Sequence, residues 1–191
     1  WRPDSGSMDT VRVAALVGGL RETSYTRLAC EHVLETAAGY DRVETDLIDL
    51  RAFDLPPYNH DHDDPGDSAD LLARVERADA VVFGTPNYHA SYSGVLKNAL
   101  DYCGFDEFDG TTVGLLTAAG GGYSSSPVDH LRIVARAVGA WVVPHQVAIQ
   151  NASSRFENGV LTDEQSADRV TKLGEQLVAY ATIEPDERTR E

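Results

Sequence analysis

Residues 84–102 of this chain, GTPNYHASYSGVLKNALDY, place many chemically useful side chains directly after an apolar run. Ordinary strand-to-helix connections need only polar turn residues, whereas this one contains four candidate contact residues: Pro86, Asn87, Tyr88 and His89. Because proline fixes one backbone angle and has no N–H, the turn is predicted to aim the amides of Asn87 and Tyr88 outward. Flat faces and hydrogen-bonding groups after a strand are typical of a ligand-binding surface.

A second candidate is the loop GGLRETSYT, residues 18–26. Two glycines permit a tight turn, and Ser24 occupies the position of a helix N-cap. Helix N-termini bind anions, and the guanidinium of Arg21 matches the geometry of a phosphate. The spacing fits neither the Walker pattern, which needs a lysine, nor G-x-G-x-x-G, so a phosphate monoester is favoured over a pyrophosphate. The alternative is a capped turn whose arginine faces solvent.

The third candidate is the loop AAGGGYSSS, residues 118–126, with three consecutive glycines at Gly120–Gly122. Glycine runs cost conformational entropy, so they usually indicate close approach of the backbone to a ligand, or a mobile flap. An anion site, an aromatic turn and a glycine segment at one edge of a sheet describe a pocket for a flat heterocycle with a terminal phosphate. FMN has that shape.

Ten predicted elements position these loops. Apolar, β-branched runs alternate with helical segments, which is typical of a parallel sheet built from βαβ units. The predicted strands are Val11–Val17, Val43–Leu50, Ala80–Phe83, Thr112–Thr117 and Ala140–Val147. The predicted helices are Tyr25–Ala38, Ala69–Arg77, Ser93–Cys103, Val128–Val138 and Asp163–Ala181. Ligands bind outside the carboxyl ends of such strands, so the three loops are expected to share one edge.

Composition disfavours several classes of protein. The chain has 31 acidic and 16 basic residues, a net charge of −15, so it lacks the basic stripe that would offset nucleic-acid phosphate repulsion. Without a long apolar run or a signal-peptide pattern, a cytoplasmic protein that does not bind membranes is expected. The two cysteines, Cys30 and Cys103, lack metal-ligand spacing and are expected to be small buried residues.

The acidic surface contains only two lysines, Lys97 and Lys172. This composition resembles that of salt-adapted proteins, including haloarchaeal ones; an ordinary acidic mesophile protein is the alternative. No linker or change of composition divides the chain, so one domain is expected over residues 9–183. Residues 1–8 are interpreted as a leader or expression-derived segment, and residues 184–191 as an acidic, polar tail.

The motifs resemble those of the NAD(P)H-dependent FMN reductase family of the flavodoxin-like superfamily, which includes quinone, chromate and azo-dye reductases. The family motif P-x-Y-N-x-S-x-x-G-x-L-K-N-A-x-D matches PNYHASYSGVLKNALD at every fixed position except that His89 replaces asparagine. The motif G-S-x-R-x-x-S-x-N matches the first loop at Arg21 and Ser24. Gly19 replaces its serine and Thr26 replaces its asparagine.

The resemblance covers about residues 11–147 and implies a flavodoxin-like α/β fold, a doubly wound five-stranded parallel sheet of strand order 2-1-3-4-5. It implies that Arg21, Ser24 and Thr26 hold the FMN phosphate beside Gly19. It also implies that the ribityl chain and ring are lined by Pro86, Asn87, Tyr88 and His89. The pyrimidine end of the ring is implied to accept hydrogen bonds from the backbone N–H groups of Gly120, Gly121 and Gly122. Because Gly19 and His89 each remove an expected polar contact, modest affinity for FMN is implied.

The implied function is an FMN-dependent oxidoreductase that transfers hydride from NADPH or NADH through FMN to a small acceptor such as a flavin or quinone. No side chain is predicted to be catalytic, because the cofactor carries the difficult chemistry. The family's GxLKNAxD helix typically packs in a dimer interface. A homodimer or tetramer through residues 93–103 is therefore implied, with Lys97 and Asp101 as candidate pair-formers.

Two other classes stay open. A flavodoxin-like electron carrier would bind FMN without oxidising NAD(P)H; such carriers share a T-x-T-G-x-T phosphate loop without arginine, so Arg21 argues against one. A metal-dependent protein would use NHDHDD, residues 59–64. Histidines at positions 60 and 62 bind one metal only if the loop folds back on itself, so a solvated acidic loop is favoured and no metal is expected.

Overall fold

The structure is a computed structural model and describes residues 10–63, 65–122 and 125–182. The predicted leader, residues 1–8, and the predicted tail, residues 184–191, lie outside the described residues.

Five parallel strands form the central sheet, and their order is 2-1-3-4-5, as predicted. The strands are β1 (Val11–Val17), β2 (Val43–Asp49), β3 (Ala80–Pro86), β4 (Thr112–Ala118) and β5 (Trp141–Ile149). The chain leaves β1 to form β2 on one side and returns to form β3 on the other. This reversal opens a crevice at the carboxyl ends of β1 and β3, where ligands of doubly wound sheets bind.

Helices cover both faces of the sheet. They are α1 (Tyr25–Ala38), α2 (Ser68–Glu76), α3 (Gly94–Tyr102), α4 (Phe105–Phe108), α5 (Ser126–Ala137) and α6 (Glu164–Ala179). One apolar cluster packs α1 and α6 against the sheet, and a second packs α2, α3 and α5 against the opposite face. The predicted apolar stripe of α3 is confirmed, since Leu96, Ala99 and Leu100 are buried in the chain's own core.

Strand β3 continues beyond its predicted end at Phe83 and finishes at Pro86. Its last two residues, Thr85 and Pro86, still lie beside β4, opposite Thr117 and Ala118. Proline is tolerated at a strand end, where no ladder N–H is needed. The extension places Pro86 directly at the rim of the crevice.

A small antiparallel hairpin between β5 and α6 is absent from the sequence prediction, as is α4. Its strands are β6 (Phe156–Glu157) and β7 (Val160–Leu161). Its turn residues, Asn158 and Gly159, have φ angles of 49° and 85°. Asn-Gly is a strong sequence signal for a two-residue hairpin, because both residues tolerate the left-handed conformation. That signal was available in the printed sequence.

Both cysteines are buried, as predicted. Burial raises the pKa of the Cys30 thiol far above its ordinary value, and the nearby Glu31 carboxylate adds to the shift. Burial, together with Glu107, raises the pKa of Cys103 to about 12. Within the described part of the chain, no helix combines the length and the apolar character needed to cross a bilayer.

Candidate functional site

A cleft of about 260 Å³ opens at the carboxyl edge of the sheet. Eight of the eleven predicted site residues line it: Gly19, Arg21, Ser24, Thr26, Pro86, Asn87, Tyr88 and Gly120. The other three, His89, Gly121 and Gly122, are not among its lining residues. Six lining residues were not predicted: Thr23, Tyr25, Ala118, Ala119, Ala152 and Ser153.

The N-terminus of α1 forms one end of the cleft. Ser24 has extended backbone angles and its Oγ accepts a hydrogen bond of 3.2 Å from the Arg27 amide, which confirms the predicted N-cap. The first amides of a helix have no carbonyl partner within it, and the first two residues of α1, Tyr25 and Thr26, both line the cleft. Together with the guanidinium of Arg21, this end of the cleft has the donors of a phosphate site.

Gly19 is explained by the cap. A Cβ at this position would lie 2.5 Å from Ser24 Oγ, so a side chain here would displace the hydroxyl that caps α1. A serine at this position would therefore require Ser24 Oγ to leave its capping position. Replacing it with glycine removes one hydroxyl but keeps the cap in place.

The first and second loops are joined by Ser93, the N-cap of α3. Its Oγ donates to the Gly18 carbonyl at 2.8 Å and accepts from the Leu96 amide at 3.1 Å. Its own amide donates to Thr85 Oγ1 at 2.9 Å. A Cβ on Gly18 would lie 2.6 Å from both Ser93 Oγ and Leu96 Cβ, so only glycine permits this close approach. Ser93 thus positions two walls of the cleft without lining it.

The aromatic turn is a two-residue hairpin. Tyr88 and Ser91 exchange backbone hydrogen bonds of 2.9 and 3.0 Å, and the central residues His89 and Ala90 have φ angles of 51° and 65°. Turns of this kind favour Asn-Gly, because both central positions are left-handed. The asparagine of the family motif falls at the first of them, so His89 occupies a position selected for conformation, and its side chain lies outside the cleft lining.

The structure corrects the prediction that the backbone amides of Asn87 and Tyr88 face outward. The Asn87 amide donates to the Ala118 carbonyl at 3.2 Å, and the Tyr88 amide donates to the Ser91 carbonyl. Hairpin formation and continued pairing toward β4 use both N–H groups. The turn therefore offers side-chain groups and ring faces to the cleft in place of backbone donors.

The glycine segment borders space that no described residue fills. Within the described residues, a Cβ on Gly120, Gly121 or Gly122 would meet no atom within 4 Å, and none of the three has a left-handed φ. Neither packing nor backbone conformation of the free protein requires glycine here, which fits a segment that a ligand approaches closely. The remaining part of this predicted loop includes residues 123 and 124, which lie outside the described residues.

The segment after β5 completes the cleft. The amides of Asn151 and Ala152 donate to the carbonyls of Gly121 (3.1 Å) and Ala119 (2.9 Å), which ties this segment to the glycine loop. The hairpin that follows packs Phe156 against Tyr25 at the start of α1, with ring centroids 5.1 Å apart. These contacts bring distant parts of the chain to the cleft. No local sequence pattern predicts such contacts, because they join residues that are far apart in sequence.

The predicted metal alternative rests on the loop after β2. Its last residue, Asp64, lies outside the described residues. In the part of the chain that the structure describes, no three His, Cys, Asp or Glu side chains form a group able to hold a metal ion. His60 Nδ1 instead lies 3.3 Å from the Tyr58 hydroxyl. His130 and His145 also lie outside the cleft lining; His130 Nδ1 is 3.1 Å from Ser91 Oγ and braces the aromatic turn.

Chemically, the cleft is a binding site with few reactive groups. Its described lining contains no carboxylate, histidine, cysteine or lysine, and Arg21 is its one permanently charged side chain. General acid–base or nucleophilic chemistry by the protein therefore has no obvious group to use. The arrangement suits a reaction whose chemistry resides in a bound cofactor.

Comparison with known proteins gives a consistent result. Residues 11–154 match the family model described as NADPH-dependent FMN reductase. The chain is similar to an FMN-dependent NADPH-azoreductase of Staphylococcus aureus, with 31% identity over 184 residues that span 92% of this chain and 97% of the relative.

Two solved structures are similar in fold. The flavoenzyme NAD(P)H:(acceptor) oxidoreductase FerB from Paracoccus denitrificans has a TM-score of 0.73 and 28% identity, covering 90% of this chain and 97% of that one. The apo form of an NADH:FMN oxidoreductase, EMOB, has a TM-score of 0.78 and 20% identity, covering 95% of each chain.

Proposed function

This chain belongs to the NADPH-dependent FMN reductase family, and from that premise we propose that the cleft between α1, the aromatic turn and the glycine segment is its FMN site. The protein is an FMN-dependent oxidoreductase that uses NAD(P)H. One observation carries the assignment of the site: a helix N-terminus and Arg21 stand at one end of a cleft whose other end is bordered by Gly120, beside space that no part of the described chain fills.

The phosphate is assigned to the α1 end. Arg21 supplies the cation, the α1 N-terminus supplies amides, and the hydroxyls of Ser24 and Thr26 lie at the same end. Ser24 Oγ already accepts from Arg27, yet its proton is still available to donate to a phosphate oxygen. The donor set fits a dianionic monoester, since every group assigned to it is a donor or a positive dipole.

The ring is assigned to the opposite end. Pro86, Asn87 and Tyr88 line the cleft at the end of β3, and Gly120 lines it after β4. We propose that His89 acts through the conformation of the turn, and that Gly121 and Gly122 act by leaving space. When bound, FMN supplies the hydride-accepting and electron-donating chemistry. The chain binds it, orients it and leaves one side of the cleft accessible through the half-exposed Tyr88.

The acceptor is proposed to be a small aromatic compound, such as a flavin, a quinone or an azo compound. The exposed ring of Tyr88 at the cleft supports this class, because flat acceptors stack on aromatic faces. The Staphylococcus aureus relative is an azoreductase that uses NADPH, which favours NADPH as the donor here.

We expect NADPH to bleach the oxidised flavin absorbance of the FMN-loaded protein under anaerobic conditions. Addition of a quinone or an azo dye should restore it, and steady-state kinetics should be ping-pong. Stopped-flow absorbance measures both half-reactions, with NADH as the second donor and free FMN without protein as the control. If neither nucleotide reduces the bound flavin, the proposed reductase function is wrong and the electron-carrier hypothesis is favoured.

A homodimer through residues 93–103 is also proposed, on the resemblance alone. The buried stripe of α3 packs inside its own chain, so a second subunit would contact the outward face of the helix. There, Lys97 and Asp101 form an ion pair with each other, and Asn98 binds the loop after β2 through the carbonyls of Leu55 and Pro56.

Salt adaptation is proposed from the charge of −15. Because the Debye length falls from about 10 Å at 0.1 M to about 3 Å at 1 M salt, acidic self-repulsion should weaken over that range. We expect the melting temperature to rise steeply with KCl, measured by circular dichroism. Sucrose at equal osmolality, an uncharged control, should raise it less. A flat or falling melting temperature in KCl would contradict salt adaptation.

A further inference from the structure

Arg51 lies in the short 3₁₀ helix Leu50–Ala52 that follows β2, outside the cleft lining. Its Nη1 donates to two backbone carbonyls of the first loop, those of Arg21 at 3.4 Å and Glu22 at 3.3 Å. The guanidinium thus connects the edge strand β2 to the loop after the neighbouring strand β1. Residues 20–23, the middle of that loop, are exposed.

Asp49 fixes the orientation of the Arg51 guanidinium. Its carboxylate accepts from Arg51 Nε at 2.9 Å and from Nη2 at 2.5 Å, and it also accepts from the Arg51 amide at 3.1 Å. The Asp49 side chain is only 16% exposed. Burial acts to raise the pKa of this carboxyl, but the hydrogen bonds and charge of Arg51, with Arg27, lower it overall, so the ion pair persists at neutral pH.

We infer that Arg51, held by Asp49, is a positioning residue for the phosphate of the cofactor, and this inference rests on the proposed FMN site. It acts through the backbone of the first loop. Holding the Arg21 carbonyl restricts the backbone from which the Arg21 side chain extends, so less conformational entropy is lost when that side chain orders on a phosphate. This role needs a guanidinium, because Nε and Nη2 bind the Asp49 carboxylate while Nη1 donates to the carbonyls of the first loop.

The test compares FMN with riboflavin, which has the same ring and ribityl chain but no phosphate. Dissociation constants are measured by quenching of flavin fluorescence for the wild type and for Arg51→Met. We expect Arg51→Met to weaken FMN binding about tenfold, near the upper cost of ordering one long side chain on binding, and to leave riboflavin binding almost unchanged. An equal loss for both ligands would indicate a merely structural role and overturn the inference.

Arg74→Met is the matched control. Arg74 makes the same kind of contacts, an ion pair with Asp46, three residues before Asp49 in β2, and a hydrogen bond of 3.0 Å to the Leu47 carbonyl, but it extends from α2. Its loss should leave the ratio of the FMN and riboflavin dissociation constants unchanged. A change in that ratio equal to that of Arg51→Met would overturn a specific role for Arg51.

Two further variants keep the outcome decisive. Arg51→Lys keeps the charge but loses the fork, so FMN affinity should stay close to that of Arg51→Met; full rescue by lysine would mean that Arg51 acts as a charge alone. Asp49→Asn keeps Arg51 but weakens the ion pair that orients it, and it should also reduce FMN affinity selectively.

If the wild type binds FMN no better than riboflavin, the proposed phosphate site is wrong. If it prefers FMN and Arg51→Met is unchanged, only the inference about Arg51 fails.

Discussion

FMN is expected to bind about ten- to a hundredfold more weakly when Arg21 is replaced by alanine, because a charge-assisted contact to phosphate is worth about 1.5 to 3 kcal/mol. Arg21 is the one permanently charged side chain in the described cleft lining, so no neighbouring cation there substitutes for it. Fluorescence titration of the apo protein with FMN measures the loss. Riboflavin should bind the variant and the wild type alike.

Arg12→Ala is the control for net charge. Arg12 lies near the amino end of β1, away from the cleft, and pairs with Glu44 on the surface. Arg12→Ala removes the same unit of positive charge as Arg21→Ala from an already acidic protein. Both variants therefore share any long-range electrostatic effect on an anionic ligand. Unchanged FMN affinity in Arg21→Ala, or an equal loss in Arg12→Ala, would place the phosphate elsewhere.

Ser93→Ala should destabilise the protein by about 2 to 3 kcal/mol. The substitution removes the N-cap of α3 and leaves the Gly18 carbonyl without its donor in an interior where Ser93 is only 2% exposed. Urea unfolding followed by circular dichroism measures the free energy. FMN affinity should fall as well, because the same hydroxyl ties the first loop to the second.

Ser125→Ala is the matched control, since Ser125 is also an N-cap serine but its side chain makes no capping hydrogen bond to α5. We expect its effect on the free energy of unfolding to stay within about 0.5 kcal/mol. Equal destabilisation by the two substitutions would show that the Ser93 bonds contribute nothing specific.

The edge of the sheet that holds the cleft could be predicted because strand patterns are local and parallel strands end together. The loops containing Arg21, Tyr88 and Gly120 follow β1, β3 and β4, so their meeting follows from topology alone. The cap at Ser24 was likewise a local pattern. The prediction that the amides of Asn87 and Tyr88 face outward is wrong, because these N–H groups bond to the carbonyls of Ala118 and Ser91.

The rest of the site depends on contacts between distant residues. Ser153 reaches the cleft only because the segment after β5 binds the glycine loop, and Arg51 reaches the first loop only because β2 lies beside β1. Their local sequences, an ordinary serine pair and an ordinary Asp-Leu-Arg, contain no sign of either contact. Asn158-Gly159 is different, since its turn signal is local and was sufficient to predict the hairpin that packs against the start of α1.

The hydrogen bonds between the segment after β5 and the glycine segment also have a consequence during synthesis. The cleft needs residues from Gly19 to Ser153, so it is complete only after most of the chain has been translated. At about 5 to 20 residues per second, roughly 7 to 27 seconds separate the two ends of the site on the ribosome. A cofactor cannot template the early stages of folding here. Its cellular supply should instead determine how long finished molecules survive proteolysis, since a ligand of the native state protects only molecules that have already folded.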